Sequence, residues 1–167
     1  MKKRTEDNLK NAFVGESQAH LKYLAFAAQA DKDNLPNVAR IFRANSFAEQ
    51  VHAVNHLRTL GGIGRTGENL AAAMSGEAFE ATTMYPEYIK AAEEDGEKSA
   101  VITTNSALAA EKVHYEMYKA AGQTVGLGQD IPAQPIHICG VCGFTMEGEA
   151  PDKCPVCGAP RSKFVQF

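Results

Sequence analysis

The sequence has no tryptophan, no long apolar run and no cysteine before Cys139. Nothing in it approaches the roughly 18 consecutive apolar residues that a membrane-spanning helix needs, so we expect no membrane insertion. Lys and Arg number 17 against 20 Asp and Glu, a balance that offers no broad basic surface for nucleic acid. The charged residues 1–10 have no apolar segment behind them, so we expect no secretory signal and a cytoplasmic protein.

The length and the apolar periodicity indicate a helical domain with a small module attached. A hydrophobic content of 44% excludes a disordered chain of 167 residues. Apolar residues recur every three or four positions through most of the chain, which predicts long amphipathic helices. We expect four of them, at residues 5–30, 34–60, 77–95 and 97–121.

The connections between these helices differ in length. The connection at 61–76, with a short helix at 68–75, is long, whereas the other two are short. This pattern predicts a four-helix bundle with one long crossover. Pro86 predicts a kink or local break in the third helix, because proline removes a helical hydrogen bond. Asn34 is expected to cap the second helix, with Pro36 in its first turn.

Composition divides the chain into three parts. We assign residues 1–121 to the bundle. Residues 122–135 are rich in Gly and Pro and read as a linker. Residues 136–167 contain all four cysteines and are too few to build a sufficient apolar core. This last segment therefore needs a metal or another covalent constraint to fold.

Each half of the helical region carries one isolated glutamate and one Glu-x-x-His motif. The set is Glu16, Glu49 and His52 in the first half, and Glu80, Glu111 and His114 in the second. Residues three apart on a helix face the same way, so each motif can offer a carboxylate and an imidazole to one metal ion. A single such motif is common on solvated helix faces, but two copies in register with two isolated glutamates are hard to obtain by chance.

The four glutamates also lie on the apolar stripes of their helices. Burying one ionised carboxylate costs several kcal/mol even after relaxation, so four of them need compensating cations. Four carboxylates carry a charge of −4, which two Fe²⁺, or two Fe³⁺ with a bridging oxide, would balance. The pattern is that of the di-iron and di-manganese carboxylate bundles, and it predicts a dinuclear metal centre.

The C-terminal segment carries two CxxCG knuckles. Their cysteines are Cys139, Cys142, Cys154 and Cys157. Four sulfurs in two knuckles predict a tetrahedral site for iron or zinc, and the spacing alone leaves a zinc ribbon open. Two disulfides are disfavoured, because we expect a reducing compartment.

Several motifs resemble the rubrerythrin family over nearly the whole chain. They are Gly15-Glu16-Ser17-Gln18-Ala19, Glu49-Gln50-Val51-His52, Met84-Tyr85-Pro86-Glu87-Tyr88, Glu111-Lys112-Val113-His114 and Cys154-Pro155-Val156-Cys157-Gly158. The resemblance implies a ferritin-like bundle with a rubredoxin-like tail. It implies a non-haem di-iron peroxidase of oxidative-stress defence, which reduces hydrogen peroxide to water with electrons relayed through an Fe(Cys)₄ centre. It also implies a homodimer or larger assembly and an electron-donor protein, either rubredoxin or a reductase.

The same resemblance assigns roles residue by residue. One iron would take Glu16 and the other Glu80, with Glu49 and Glu111 bridging. His52 would lie on the Glu16 side and His114 on the Glu80 side. Tyr23 and Tyr88 match tyrosines that hydrogen-bond the site carboxylates, although tyrosines on these stripes can also simply pack in a core. The four cysteines would hold the single iron, and the tail of a partner subunit would serve each bundle.

One departure leaves alternatives open. The family carries a further glutamate immediately before its Met-Tyr-Pro run, where this chain has Thr83. We therefore expect a symmetric site of four glutamates and two histidines. Such a site would favour the alternative of a di-iron oxidase or ferroxidase that reduces O₂ or oxidises Fe²⁺. The non-enzymatic alternative is an iron-handling or scaffold protein with a zinc-bound tail.

Overall fold

Helices dominate the structure, a computed structural model that describes residues 1–167. The helices are α1 Lys3–Lys32, α2 Pro36–Thr59, α3 Thr66–Phe79, α4 Tyr85–Glu94 and α5 Lys98–Gly126. A small sheet follows, with strands β1 Ile136–Cys139, β2 Thr145–Glu147 and β3 Phe164–Gln166. The predicted fold class, mainly helical with a small C-terminal β module, is confirmed. None of the helices combines the length and apolar character needed to cross a bilayer.

Residues 1–64 form the first of two structural units, a hairpin of α1 and α2. Ala27, Ala30 and Ala39 are buried where the helices meet, and these small side chains let the two backbones approach closely. Pro36 lies in the first turn of α2, as predicted. Asn34 does not cap that helix with its side chain; it turns the chain instead, with a φ of 58° in the left-handed region that asparagine tolerates.

Residues 65–167 form the second unit. Its first helix, α3, begins at Thr66, eleven positions before the predicted start at residue 77. The backbone N–H of Arg65 donates to the Glu68 carboxylate, and this contact fixes the beginning of the helix. The predicted short helix at 68–75 is therefore part of α3, and the expected long connection at 61–76 is wrong. The chain outside helices at this point is residues 60–65.

A π-helical turn, Glu80–Met84, joins α3 to α4. Pro86 lacks the backbone N–H that would bond the carbonyl four residues earlier, so the helix widens before it rather than breaking. The predicted irregularity near Pro86 is confirmed. Because a π turn shifts the following side chains around the helix axis, it also changes which residues of this segment share a face with Glu80.

The tail, residues 136–167, is a three-stranded antiparallel sheet in the order β2-β1-β3. His137 pairs with Met146 of β2 and with Gln166 of β3. Strand β2 also packs against α5 within this unit. Helix α5 continues to Gly126, five residues beyond its predicted end, so the non-helical segment before the tail is residues 127–135.

Candidate metal centres

Glu16, Glu49 and His52 form what we call the first ligand cluster. One potential ligand atom from each lies within 4.8 Å of the others. Glu16 comes from α1 and the other two residues from α2, where their i, i+3 spacing directs both side chains to one face. His52 Nδ1 lies 3.1 Å from Glu49 Oε2. The predicted grouping of these residues is therefore present in the structure.

The two carboxyl groups of the first ligand cluster interact as an acid–base pair. The contact with Glu49 raises the pKa of Glu16. The same contact, together with His52, lowers the pKa of Glu49. Two adjacent carboxyl groups that share one proton are a favourable place for a divalent cation, because the cation can replace the proton and neutralise both. The His52 side chain is 56% exposed and that of Glu49 is 20% exposed.

Glu77, Glu111 and His114 form the second ligand cluster, again with their ligand atoms within 4.8 Å. His114 Nδ1 lies 2.8 Å from Glu111 Oε2 and 3.6 Å from Glu77 Oε2. The sequence analysis expected Glu80 in this position and did not consider Glu77. Glu80 lies nearby: burial and the charge of Glu111 raise its pKa, and His114 partly opposes them.

Glu77 provides the clearest sign that the second ligand cluster suits a cation. Burial, followed by the neighbouring carboxylates of Glu111 and Glu80, raises its pKa to about 8. Its Oε2 atom is buried and has no hydrogen-bond partner. A buried acceptor without a partner is costly, and a metal ion at this atom would remove the cost.

The symmetric set of four glutamates and two histidines expected from Thr83 stays a prediction. Glu77 is a further carboxylate beside Glu80 and Glu111 that the sequence analysis did not consider. The signal was present in the sequence, since Glu77 precedes Glu80 by three residues and hence lies on the same helical face.

Tyr85, rather than Tyr88, lies beside the carboxylates of the second ligand cluster and Glu80. Burial raises the pKa of Tyr85, and so do the charges of Glu111, Glu80 and Glu77. Tyr88 is exposed and meets Tyr85 edge-on, with ring centroids 6.4 Å apart.

Tyr23 packs in an aromatic cluster of the first unit. Its ring centroid lies 6.2 Å from that of Phe42 and 6.3 Å from that of Phe26. Contact of Tyr23 or Tyr88 with the carboxylates therefore stays a prediction.

The tail contacts the second ligand cluster directly. Thr145 Oγ1 of strand β2 lies 2.7 Å from His114 Nε2. The threonine hydroxyl donates to the Gly143 carbonyl at 3.2 Å, which leaves its lone pairs to accept from the His114 N–H. Because Nε2 then carries the proton, Nδ1 is the nitrogen left to bind a metal ion. Sequence reasoning missed Thr145, since no pattern links positions 31 residues apart.

The four cysteines form a closed cluster. Cys139 Sγ lies 3.7 Å from Cys157 Sγ, and Cys142 Sγ lies 3.6 Å from Cys154 Sγ. Tetrahedral bonds of about 2.3 Å to one metal ion place sulfurs about 3.8 Å apart, so the geometry fits a single ion. No disulfide forms among the four residues, as predicted.

The backbone around the CxxCG motifs favours the thiolate form of Cys139. Gly143 and Gly158 adopt φ values of 79° and 74°, which only glycine reaches without strain. Burial raises the pKa of Cys139, but the backbone N–H groups of Val141 and Cys142 outweigh burial and bring it to about 7. Burial and the neighbouring thiols raise the pKa of Cys142 to about 12. All four thiols can ionise together only when a bound cation compensates their negative charge.

Two family models match the chain. The model described as Rubrerythrin matches residues 7–122, and the model described as Rubrerythrin, rubredoxin-like domain matches residues 137–165. Rubrerythrin-2 of Clostridium acetobutylicum is 37% identical over 98% of this chain and 96% of its own length. Nigerythrin of Nitratidesulfovibrio vulgaris is 33% identical over 98% of this chain and 86% of its own length.

The solved structures agree with these matches. Fully reduced, all-ferrous nigerythrin aligns with a TM-score of 0.55 at 33% identity, over 98% of this chain and 86% of the other. The family matches support a di-iron site in the helical bundle and a rubredoxin-like iron site at the four cysteines of the tail. The chain belongs to the rubrerythrin family.

Proposed function

We propose that this member of a di-iron oxidoreductase family is a peroxidase that reduces hydrogen peroxide to water. Each peroxide molecule takes up two electrons and two protons and yields two water molecules. The observation that carries the proposal is the contact between His114 and Thr145, which connects the tail to the second ligand cluster. An enzyme that consumes electrons at every turnover needs such a connection, whereas a ferroxidase receives its electrons from the ferrous substrate itself.

We assign the ligands by cluster. Glu16, Glu49 and His52 would hold one iron, and Glu77, Glu111 and His114 the other, with Glu80 as a further carboxylate beside them. When bound, the iron pair supplies Lewis acidity and two reducing electrons.

The residues around the second ligand cluster can supply protons. The raised pKa of Tyr85 keeps its phenol protonated beside Glu77 and Glu80. A phenol that stays protonated near a reacting oxygen can act as a general acid. Tyr85 is thus our candidate proton donor when the O–O bond breaks.

The tail supplies an electron route within one chain. Cys142 is joined through Gly143 and Phe144 to Thr145, and Thr145 is hydrogen-bonded to His114. Resemblance to the family suggested the tail of a partner subunit instead. Cys157 is the exposed cysteine of the cluster, so an external donor of the rubredoxin type, in the cytoplasm, would deliver electrons at this edge.

The oxidase alternative rests on Thr83, and Glu77 weighs against it, because Glu77 offers a further carboxylate beside Glu80 and Glu111. Reaction of the fully reduced protein with peroxide and with O₂, followed separately by stopped-flow absorbance, distinguishes the two activities. We expect the peroxide reaction to be faster. A faster reaction with O₂, or with Fe²⁺ as the reductant, would favour the oxidase or ferroxidase.

The variant Cys157→Ala tests the relay. It should keep a single-turnover peroxide reaction of the reduced bundle but lose sustained turnover, because the tail no longer holds its iron. Ser162→Ala, on the nearby turn Arg161–Lys163, is a matched control that should leave both unchanged. Equal steady-state rates for the Cys157 variant and the unaltered protein would exclude the relay. A colourless tail that contains zinc would support the scaffold alternative.

A further inference from the structure

We propose that Tyr85 and Tyr88 form an exit through which oxidising equivalents leave the second ligand cluster. When hydrogen peroxide meets an iron pair that holds only one reducing electron, Tyr85 supplies the missing electron. Tyr88 then passes the resulting radical to a soluble reductant at the surface. The inference rests on the proposed function and goes beyond it, because it concerns incompletely reduced protein and a route that does not use the tail.

The need for such an exit follows from the number of electrons. The four cysteines of the tail form one cluster for a single metal ion, so the tail delivers one electron at a time. Hydrogen peroxide takes up two electrons when it is reduced to water. The iron pair therefore passes through a half-reduced state between two deliveries. Peroxide that reacts in this state lacks one electron, and a nearby side chain has to provide it.

The electrons and protons balance when Tyr85 is that side chain. Peroxide takes one electron from the iron pair, one electron and the phenolic proton from Tyr85, and one further proton from solvent. The O–O bond breaks, two water molecules form, and Tyr85 is left as a neutral tyrosyl radical. Tyr88 then gives an electron to Tyr85 and a proton to water, while Tyr85 takes up a proton. A soluble one-electron donor, such as a thiol, restores Tyr88 by giving it a hydrogen atom.

Tyr85 is the aromatic residue that the helix places beside the ligands. It is the first residue of α4 and follows the π turn directly. Its backbone N–H donates to the Glu80 carbonyl, and this hydrogen bond fixes Tyr85 relative to Glu80. The charges of Glu77, Glu80 and Glu111 act on its phenol. Tyr85 is therefore positioned to give an electron to a reaction at these carboxylates.

Tyr88 connects Tyr85 to solvent. The two residues are three positions apart on α4, so they share one face of the helix. Their ring centroids lie 6.4 Å apart with the planes at 83°, within the range of about 4.5–7 Å for aromatic rings in direct contact. Tyr88 is 52% exposed. The pair thus runs from the ligand cluster to the surface through one ring contact.

Other aromatic residues of this structural unit do not provide such a route. The chain has no tryptophan, so tyrosine is its most readily oxidised aromatic side chain. Tyr88 is the only residue whose ring contacts that of Tyr85. On α5, the Lys119 ammonium lies 5.4 Å from the ring centroid of Tyr115, and a cation over a ring opposes removal of an electron. Tyr118 is 37% exposed and has no aromatic partner, which makes it a suitable control.

Electron paramagnetic resonance of half-reduced protein, frozen rapidly after mixing with peroxide, tests the exit. Cys157→Ala disables the tail, and the iron pair is first reduced to its mixed-valence state. One equivalent of peroxide should remove the mixed-valence signal and produce a tyrosyl radical signal. That signal should narrow in protein grown with ring-deuterated tyrosine. Fully reduced protein should give no radical, because both electrons then come from iron.

Three further substitutions in the same background assign the two steps. Tyr85→Phe should abolish the radical. Tyr88→Phe should still form it, but its decay with added thiol should slow severalfold, because Tyr85 is less exposed than Tyr88. Tyr118→Phe, the matched control on α5, should change neither the yield nor the decay. Iron analysis before mixing ensures that variants with equally filled sites are compared.

Several results would overturn the proposal. Complete oxidation of the half-reduced iron without a radical would mean that no side chain supplies the electron. A radical that does not narrow on deuteration, or that persists at full yield in Tyr85→Phe, would place the oxidation elsewhere. An unchanged decay in Tyr88→Phe would exclude Tyr88 as the exit. The fully reduced protein tests the proposed function separately: if it does not consume peroxide, that function fails and the exit fails with it.

Discussion

Thr145 Oγ1 lies 2.7 Å from His114 Nε2, and this contact joins the cysteine-rich tail to a glutamate–histidine cluster of the helices. Thr145 is buried and comes three residues after Cys142 in the chain. A hydrogen bond to the second nitrogen of a ligating imidazole fixes the tautomer and ring orientation of that ligand. The same hydroxyl can therefore orient a metal ligand and shorten the electron path from the cysteine cluster.

Replacing Thr145 with valine tests this double role. Valine keeps the shape but removes the hydroxyl, so His114 loses its acceptor. We expect electron transfer from the reduced Fe(Cys)₄ centre to slow by about tenfold, the lower range for loss of such partners. The single-turnover peroxide reaction should change much less. Stopped-flow absorbance of the tail iron measures the first rate, and loss of the bundle absorption measures the second.

The matched control for Thr145 is Thr124→Val on α5, where the hydroxyl bonds only the carbonyl of Ala120 in its own helix. This variant should behave as the unaltered protein. Reoxidation of the tail iron at the unaltered rate in the Thr145 variant would exclude the contact as the route. A direct contact through a partner subunit would then be the better explanation.

A second prediction concerns which glutamate binds iron. Because Glu77 lies with Glu111 and His114, Glu77→Ala should lower bundle iron from two ions towards one per site. Glu80→Ala should remove less iron than Glu77→Ala. The control variant Glu93→Ala, at an exposed position on α4, should remove none. Iron analysis after removal of loosely bound metal measures all three. Greater iron loss from the Glu80 variant would restore the assignment made from the sequence.

The sequence predicted all three residues of the first ligand cluster, because the information that brings them together is local. Glu49 and His52 are three residues apart on one helix, and helical periodicity alone places them on one face. Glu16 follows from the antiparallel pairing of α1 with α2 across a short turn. None of these inferences depends on how distant parts of the chain meet.

The second ligand cluster was harder to predict, for two physical reasons. A π turn at Glu80–Met84 interrupts the regular period just after Glu80, so counting in steps of three and four misjudges whether Tyr85 or Tyr88 lies beside the cluster. The hydrogen bond between Thr145 and His114 joins the tail to α5 although the two residues are far apart in the sequence. Helical periodicity cannot predict such a contact. The Thr83 argument considered one position and overlooked Glu77, which precedes Glu80 by three residues on the same helix.

A third prediction uses the raised pKa of Glu77 in protein stripped of metal. A folded-state pKa of about 8, above an ordinary value of 4.5, means that the folded protein binds this proton more tightly than the unfolded chain does. Stability from this group is then complete below pH 4.5 and declines as the pH rises towards 8. We expect the melting temperature of the metal-free protein to fall between pH 5 and 8.

Glu77→Gln identifies the source of that decline. The amide stays neutral at every pH, so the variant should have a flatter profile and a higher melting temperature than the unaltered metal-free protein at pH 8. Glu93→Gln should keep the original slope. Metal-loaded protein should lack the decline, because iron replaces the proton. The interpretation fails if the Gln variant retains the full slope.

The last prediction separates Tyr85 from Tyr88. Tyr85 borders Glu77, Glu80 and Glu111, whereas Tyr88 is exposed and reaches the site only through the ring of Tyr85. Tyr85→Phe should keep its iron but lose the phenolic proton, and the single-turnover reaction with peroxide should slow by about a hundredfold, the low end for a general acid. Tyr88→Phe is the natural control, because it removes a neighbouring hydroxyl and leaves the proton of Tyr85 in place. Equal slowing in both variants would show that the two rings act through packing, and an unchanged rate for Tyr85→Phe would mean that water delivers the proton.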